Sequence, residues 1–338
     1  MPLWFNLERG GTVDKQLYER KRFKPSDYTV FLLIAAIFLL LTFTSDTFLT
    51  YNNLYSLLYG VSIQFFAVIG FTFLLILGEI DLAVGSMYGL SGTMAGVLMV
   101  LGKWNFLPSV LLTLVLCTAF GAGVGLLVTK LRLNSMMVTL GTMSLLKGLT
   151  AVLFNMMTAN IYGEAYRNFA KFRIMGINWT ILAMVLIVLV FEVLLQKAPS
   201  FKQLYYVGHN EETAKLYGIK TNKLKVLSFA ACALTAALGG IIATSRITHS
   251  DILTGSGLEF SLITACVVGG ASLAGGRGGM LKSAAGMLFI ALLTNGMIIY
   301  RIEPNLQQVV IGIILVIAVS IDVWINKYKY KPFKLLRR

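Results

Sequence analysis

The chain has 338 residues, 57% of them hydrophobic and only 13% charged, with a mean hydropathy of +0.77. That is too little charge for a soluble domain of this length, and several apolar runs reach the ~17–25 residues that cross a bilayer core. The net charge of +14 sits largely in two flanks: Lys15, Arg20, Lys21, Arg22 and Lys24 before the first run, and Lys327, Lys329, Lys331, Lys334, Arg337 and Arg338 after the last. Basic flanks of this kind orient a polytopic membrane protein, and with no aromatic–basic module beside them they do not call for nucleic acid as a partner.

Residues 1–27 read as a basic cytoplasmic tail. They contain no apolar core followed by a small-residue cleavage site, which argues against a cleaved signal peptide. Residues 28–325 form the membrane domain and 326–338 a second basic tail. About ten spans are expected, at 28–44, 61–77, 83–101, 107–129, 136–156, 177–195, 225–244, 259–274, 280–300 and 305–325, making an all-α membrane protein with both termini in the cytoplasm. Residues 45–59 are expected to lie at the interface on the outer face. Lys130, Arg132, Arg277, Lys282 and the loop 196–224 then fall inside. The outside loop 157–178 breaks the pattern, with Arg167, Lys171 and Arg173 against Glu164.

Between the second and third runs stands GEIDLAVGS, Gly78 to Ser86. It places Glu79 and Asp81 where charge is expensive, and Gly78 and Gly85 where a helix can break or approach another backbone closely. The segment reads either as the wall or gate of a translocation path or as a plain cytoplasmic turn. Lys147, near the middle of the 136–156 run, costs on the order of 2.5–3.5 kcal/mol at that depth unless it finds water or a partner. Glu79 or Asp81 is the expected partner. Glycines at four-residue spacing (Gly85 and Gly89, Gly92 and Gly96, Gly121 and Gly125) suit close helix packing within one bundle.

In the loop 196–224, Asn210 is a good N-cap, Glu211 and Glu212 suit the first turn, Lys215 follows, and Gly218 is a C-terminal stop. A two-turn surface helix is predicted, with or without a docking partner. Further on, Gly269, Gly270, Gly275, Gly276, Gly278 and Gly279 surround Arg277 in a predicted tight turn. No GxxxxGK[ST] occurs in the chain, so any ATP-driven transport needs its engine on another subunit. No HExxH or GxSxG appears, and Cys117, Cys232 and Cys266 lie in apolar runs without metal-ligand spacing. Neither enzyme chemistry, nor a metal, nor a cofactor is expected. An ion-coupled secondary transporter using Glu79, Asp81 and Lys147 as a relay is the alternative reading.

Taken together and in order, GEIDLAVGS, VGHNEETAKLYGI and GLEFSLITACVVGGASLAGGRGG resemble the permease subunits of ribose/xylose-type ABC importers, over roughly residues 50–325. That resemblance implies a ten-span permease related in fold to vitamin B12-type importers, with two related halves. It implies partners: two copies or a fused pair of an ATP-binding ABC subunit, an extracytoplasmic sugar-binding protein, and a second permease chain, all at a prokaryotic cytoplasmic membrane. On this sequence, Asn210, Glu211, Glu212, Ala214, Lys215, Leu216 and Gly218 become the ATPase-coupling helix. Gly78, Glu79, Asp81 and Gly85, with Lys147, become the path or gate, and Gly269 to Gly278 the matching turn of the second half. The family's commonest first motif reads Gly-Gly-Ile-Asp-Leu-Ser; here Glu79 replaces the second Gly and Ala83 the Ser.

Overall fold

The computed structural model describes residues 29–156 and 163–329. The tail 1–27, residues 330–338 of the second tail and residues 157–162 of the outer loop therefore lie outside the described residues. The chain is helical apart from one two-residue hairpin. In order come α1 (Thr29–Thr44), α2 (Tyr51–Leu77), α3 (Val84–Val100), α4 (Phe106–Lys130), α5 (Ser135–Met156) and α6 (Glu164–Lys171). The antiparallel pair β1 (Arg173–Ile174) and β2 (Ile177–Asn178) follows. Then come α7 (Trp179–Lys197), α8 (Pro199–His209), α9 (Glu211–Leu216), α10 (Thr221–Ile247), α11 (Leu258–Val268), α12 (Met280–Ile299) and α13 (Pro304–Lys329).

Seven of these (α2, α4, α5, α7, α10, α12 and α13) are long and apolar enough to cross a membrane, and α1, α3 and α11 are shorter apolar helices. Two expected boundaries are corrected. α2 begins at Tyr51, so most of the supposed interfacial piece 45–59 is its first turns. Its polar residues are not loop signals, since Asn53 bonds Phe48 O at 2.9 Å and Asn295 Oδ1 at 3.1 Å. The expected 259–274 run is a helix only to Val268, about 16 Å of rise or half a bilayer core. Gly269 and Gly270 end it.

The centre is α2 and α10. α2 is mostly apolar and, except at Gln64, buried from Val61 to Leu77, which is the pattern of a helix surrounded by protein. α10 packs on α4, α2 and α3 through small residues. A Cβ added at Gly121 would stand 2.4 Å from that of Ala233, and one at Gly125 would stand 2.8 Å from Val226 Cα. The glycine ridges thus pack within one bundle, where approach distance sets the dispersion gain. Leucines and valines of α4, α5, α7 and α13 face outward, as lipid-facing helices require.

The two ends of the bundle differ. At the Tyr51 end of α2, the segment α6–β1–β2 folds back onto the helices: Tyr59 donates to Ala170 O at 2.7 Å, and Tyr166 bonds Ile241 O at 3.1 Å and the Thr244 hydroxyl. Arg173 lies 5.2 Å from the centre of the Tyr55 ring, so one cation of the charge-breaking loop is held by an aromatic face. At the Leu77 end, α8 and α9 cover the breaks described next.

Candidate functional site

α2 stops because Gly78 adopts a left-handed conformation (φ +79°), which lets Gly78 N–H donate to Leu75 O at 3.0 Å and Glu79 N–H to Leu74 O at 2.9 Å. α11 stops the same way: Gly270 (φ +94°) donates to Val267 O at 2.8 Å and Ala271 to Cys266 O at 2.9 Å. These two stops sit together. Gly276 N–H donates to Ile76 O at 2.8 Å, and a Cβ on Gly275 would be 2.9 Å from Gly78 Cα. The two glycine segments singled out in the sequence are therefore one structural unit.

The backbone between α2 and α3 is irregular and buried, so its polar groups need partners. α5 supplies them: Leu82 N–H donates to Thr139 Oγ1 at 3.1 Å and Ile80 N–H to Ser135 Oγ at 3.4 Å. Asp81, 8% exposed, turns back to accept from Ala83 N–H at 2.8 Å. Its carboxylate thus closes the turn that leads into α3. In the other turn, Asp322 of α13 accepts from Arg277 Nη2 at 3.1 Å, Ser272 Oγ at 3.0 Å and Leu273 N–H at 3.3 Å. Gly269 is pressed against Lys282 O, and Gly278 O accepts from Tyr205 of α8 at 3.0 Å.

α8 and α9 lie directly on this unit. Gly208 of α8 is backed onto Ile76 O and Gly276 N. α9 has the capping foreseen for it: Asn210 accepts from Thr213 N–H at 2.8 Å, Gly218 N–H donates to Lys215 O at 2.9 Å, and Ile219 N–H to Ala214 O at 3.1 Å. Ala214 is buried, whereas Leu216 and Tyr217 are 88% and 83% exposed. Beside them is a surface cavity of about 750 Å³ lined by Tyr206, His209, Thr213, Tyr217 and Ile219. Lys215 bridges Glu211 and Glu212, each at 3.0 Å. Burial pushes the Glu211 carboxyl up, but hydrogen bonds and charge from Lys225 and Lys215 outweigh it and hold the carboxyl below the usual glutamate range.

The expected partnership of Lys147 with Glu79 or Asp81 is corrected. Glu79 instead pairs with Lys225, Oε1 to Nζ 2.7 Å, and Lys147 lines a separate cavity of about 680 Å³ with Gln64, Tyr88, Glu259, Gln307 and Gln308. The cause is geometry: Glu79 follows the end of α2, whereas Lys147 sits three turns into α5. A three-residue relay of Glu79, Asp81 and Lys147 is not assembled. The acid that shares this cavity with Lys147 is Glu259, 2% exposed, with one carboxylate oxygen lacking a hydrogen-bond partner among the described residues. Gly85 joins the two regions, because a Cβ there would be 2.3 Å from Glu259 Oε2 and 2.4 Å from Gly255 O.

Sequence reasoning missed Lys225, Glu259, Gln308 and Asp322. Glu259 lay inside a quoted motif, and a carboxylate within a run read as apolar was its available signal. Lys225 looked like one more loop lysine, and only the fold sets it against Glu79. Among the described residues no cluster of three His, Cys, Asp or Glu side chains could hold a metal.

Comparison with known proteins gives a consistent picture. The family described as "Branched-chain amino acid transport system / permease component" matches residues 53–319. The ribose import permease protein of Escherichia coli K12 is 30% identical over 92% of this chain and 98% of its own length. That of Bacillus subtilis is 33% identical over 86% and 91%, and the L-arabinose transport system permease protein of E. coli K12 is 31% identical over 90% and 91%. No solved structure matches the chain.

Proposed function

Since the chain belongs to this family of transport-system permease components, we propose that it is the membrane-spanning subunit of an ATP-driven ABC importer for a monosaccharide or a close relative of one. The relatives in hand carry ribose and arabinose in their names, and a D-allose transport system permease of E. coli is 28% identical over 88% of the chain. The importer resides in the cytoplasmic membrane of a bacterium, contains a pair of permease chains and receives its sugar from an extracytoplasmic binding protein; ATP hydrolysis belongs to a separate subunit and not to this chain. Seven long and three shorter apolar helices are read as ten crossings with both tails in the cytoplasm. In that topology α11 crosses with the help of the turns on either side of it. The shared stop geometry at Gly78 and Gly270 supports two related halves of the vitamin B12-importer type.

The observation that carries the proposal is α9. A capped six-residue helix, with Leu216 and Tyr217 exposed at its end, stands on the unit where both breaks meet. Exposed leucine and tyrosine at such a point are anchors for a partner, here the ATP-binding subunit. On binding ATP the paired engines close and push α9, and α8 passes the displacement through Gly208 and Tyr205 to Ile76 and Gly278. Gly78, Glu79, Asp81 and the turn 269–279 form the gate.

The cavity of about 680 Å³ is read as part of the path. Its amides, carboxylate, ammonium and tyrosine offer donors and acceptors to sugar hydroxyls without enclosing the sugar. Weak binding at such a wall is what passage requires. The test is uptake of labelled pentoses and hexoses by cells holding or lacking this chain together with its ATPase and binding protein. Saturable, ATP-dependent uptake of one sugar class that disappears with the chain supports the proposal. Uptake by the chain alone that follows an ion gradient and ignores ATP would contradict it.

A further inference from the structure

Glu79, one of the two residues that depart from the resembling family's first motif, is also the end of a charged chain that reaches α9. Lys225, the fifth residue of α10, places its ammonium 2.7 Å from Glu79 Oε1 and 2.6 Å from Glu211 Oε2. Its side chain is 14% exposed, that of Glu79 11% and that of Glu211 31%. Thr221 adds a hydrogen bond to Glu211 Oε1 at 3.3 Å. We propose that Glu79–Lys225–Glu211 is a coupling strut, in which Glu79 and Lys225 act as positioning residues that transmit movement of α9 to the break at residues 78–83.

The chemistry of the triad favours this over a mere surface contact. α9 and α10 are covalent neighbours, joined through residues 217–220, so α10 moves with α9 in any case. The break at 78–83 has no such connection to α9, and the ion pair supplies one. Glu211 has a second counter-charge in Lys215, 3.0 Å away, whereas Lys225 is the ammonium that Glu79 pairs with among the described residues. Away from bulk water, separating Glu79 from Lys225 exposes a poorly solvated carboxylate, so this pair resists stretching and follows its anchor. Beyond Glu79 the connection continues in hydrogen bonds: Ile80 and Leu82 donate to Ser135 and Thr139 of α5, the helix whose Lys147 lines the inner cavity. A glycine in place of Glu79 would remove the charged link between the break and α9 and leave the hydrogen bonds to α5.

The inference rests on the importer reading, and the experiment separates the two. The complete complex of this chain, its ATPase and its binding protein is placed in proteoliposomes. Three quantities are measured: ATPase retained on the permease, ATP hydrolysed, and sugar imported per ATP. Glu79→Gln and Lys225→Gln, singly and combined, should keep assembly and hydrolysis while lowering sugar per ATP by about five-fold or more, the low end of ordinary coupling between sites. The double variant should be no worse than the worse single one. Glu79→Asp should recover part of the loss. An unchanged ratio in the single variants, additive losses, or loss of ATPase in step with transport would overturn the strut. A wild-type complex that hydrolyses ATP but imports no sugar would overturn the importer reading and this inference with it.

Discussion

Gly208→Ala isolates the contact between α8 and the gate. Alanine is favoured over glycine by about 0.8–1.0 kcal/mol in a helix interior, and by less at Gly208, the penultimate residue of α8, so on local grounds the change stabilises α8 only slightly. Packing opposes it. The new Cβ would stand 1.9 Å from Ile76 O and 2.6 Å from Gly276 N, the first about 1.5 Å inside the closest ordinary contact. Both obstacles are backbone, and they are donor and acceptor of one hydrogen bond, 2.8 Å long. Neither can swing aside as a side chain would. α8 must lift or the bond must open, and overpacking of this kind costs about 1–3 kcal/mol. The net expectation is a loss of stability together with loss of transport, because the lifted helix no longer bears on Ile76. Gly123→Ala in α4 is the control, since no atom lies within 4 Å of its added Cβ. Thermal denaturation in one detergent should show Gly208→Ala melting below wild type and Gly123→Ala at or above it. A Gly208→Ala protein as stable as the control, with full transport, would refute the argued contact.

Leu216→Ala and Tyr217→Ala should leave the permease's own melting unchanged, as both side chains are exposed. Each should weaken retention of the ATPase by about 2 kcal/mol if it is an anchor, read by quantitative co-purification. Asn210→Ala removes the N-cap bond to Thr213 and should destabilise α9 by about 0.5–2 kcal/mol, visible as faster amide exchange over residues 211–216. Lys147→Ala and Asp81→Asn lie in different regions, so their effects on uptake should add, whereas a shared deficit would restore the pairing that the fold separates. The carboxyl of Glu211 is held below its ordinary range, so its stabilising contribution is complete above that range and is lost as pH falls through the lowered value. Exchange protection of α9, corrected for intrinsic rates, should hold from about pH 8 to about pH 5 and fail only in more acid solution.

Much of the fold could be read because lipid makes helices announce themselves. A bilayer admits few polar groups, so runs such as 107–129 and 280–300 match their helices to within a residue or so. The caps of α9 were legible for a local reason: Asn210 and Gly218 act within a few bonds of themselves. What sequence spacing could not show is which charges meet. Glu79 and Lys225 are separated by more than a hundred residues, and only the crossing of α2 and α10 sets them 2.7 Å apart. Lys147 was correctly singled out as costly, yet its neighbour came from a segment read as apolar. The half-length α11 was misjudged because hydropathy continues through Gly269 and Gly270, while the backbone turns there.

The central claim is that an ATP-driven engine sits on α9, and native mass spectrometry of the gently extracted, tagged chain tests it most directly. The account predicts a complex holding two permease chains and two ATP-binding subunits, or one fused pair, that falls apart in Leu216→Ala, Tyr217→Ala. A lone chain or a bare homodimer, recovered across several mild detergents from cells that express the ATPase, would contradict it.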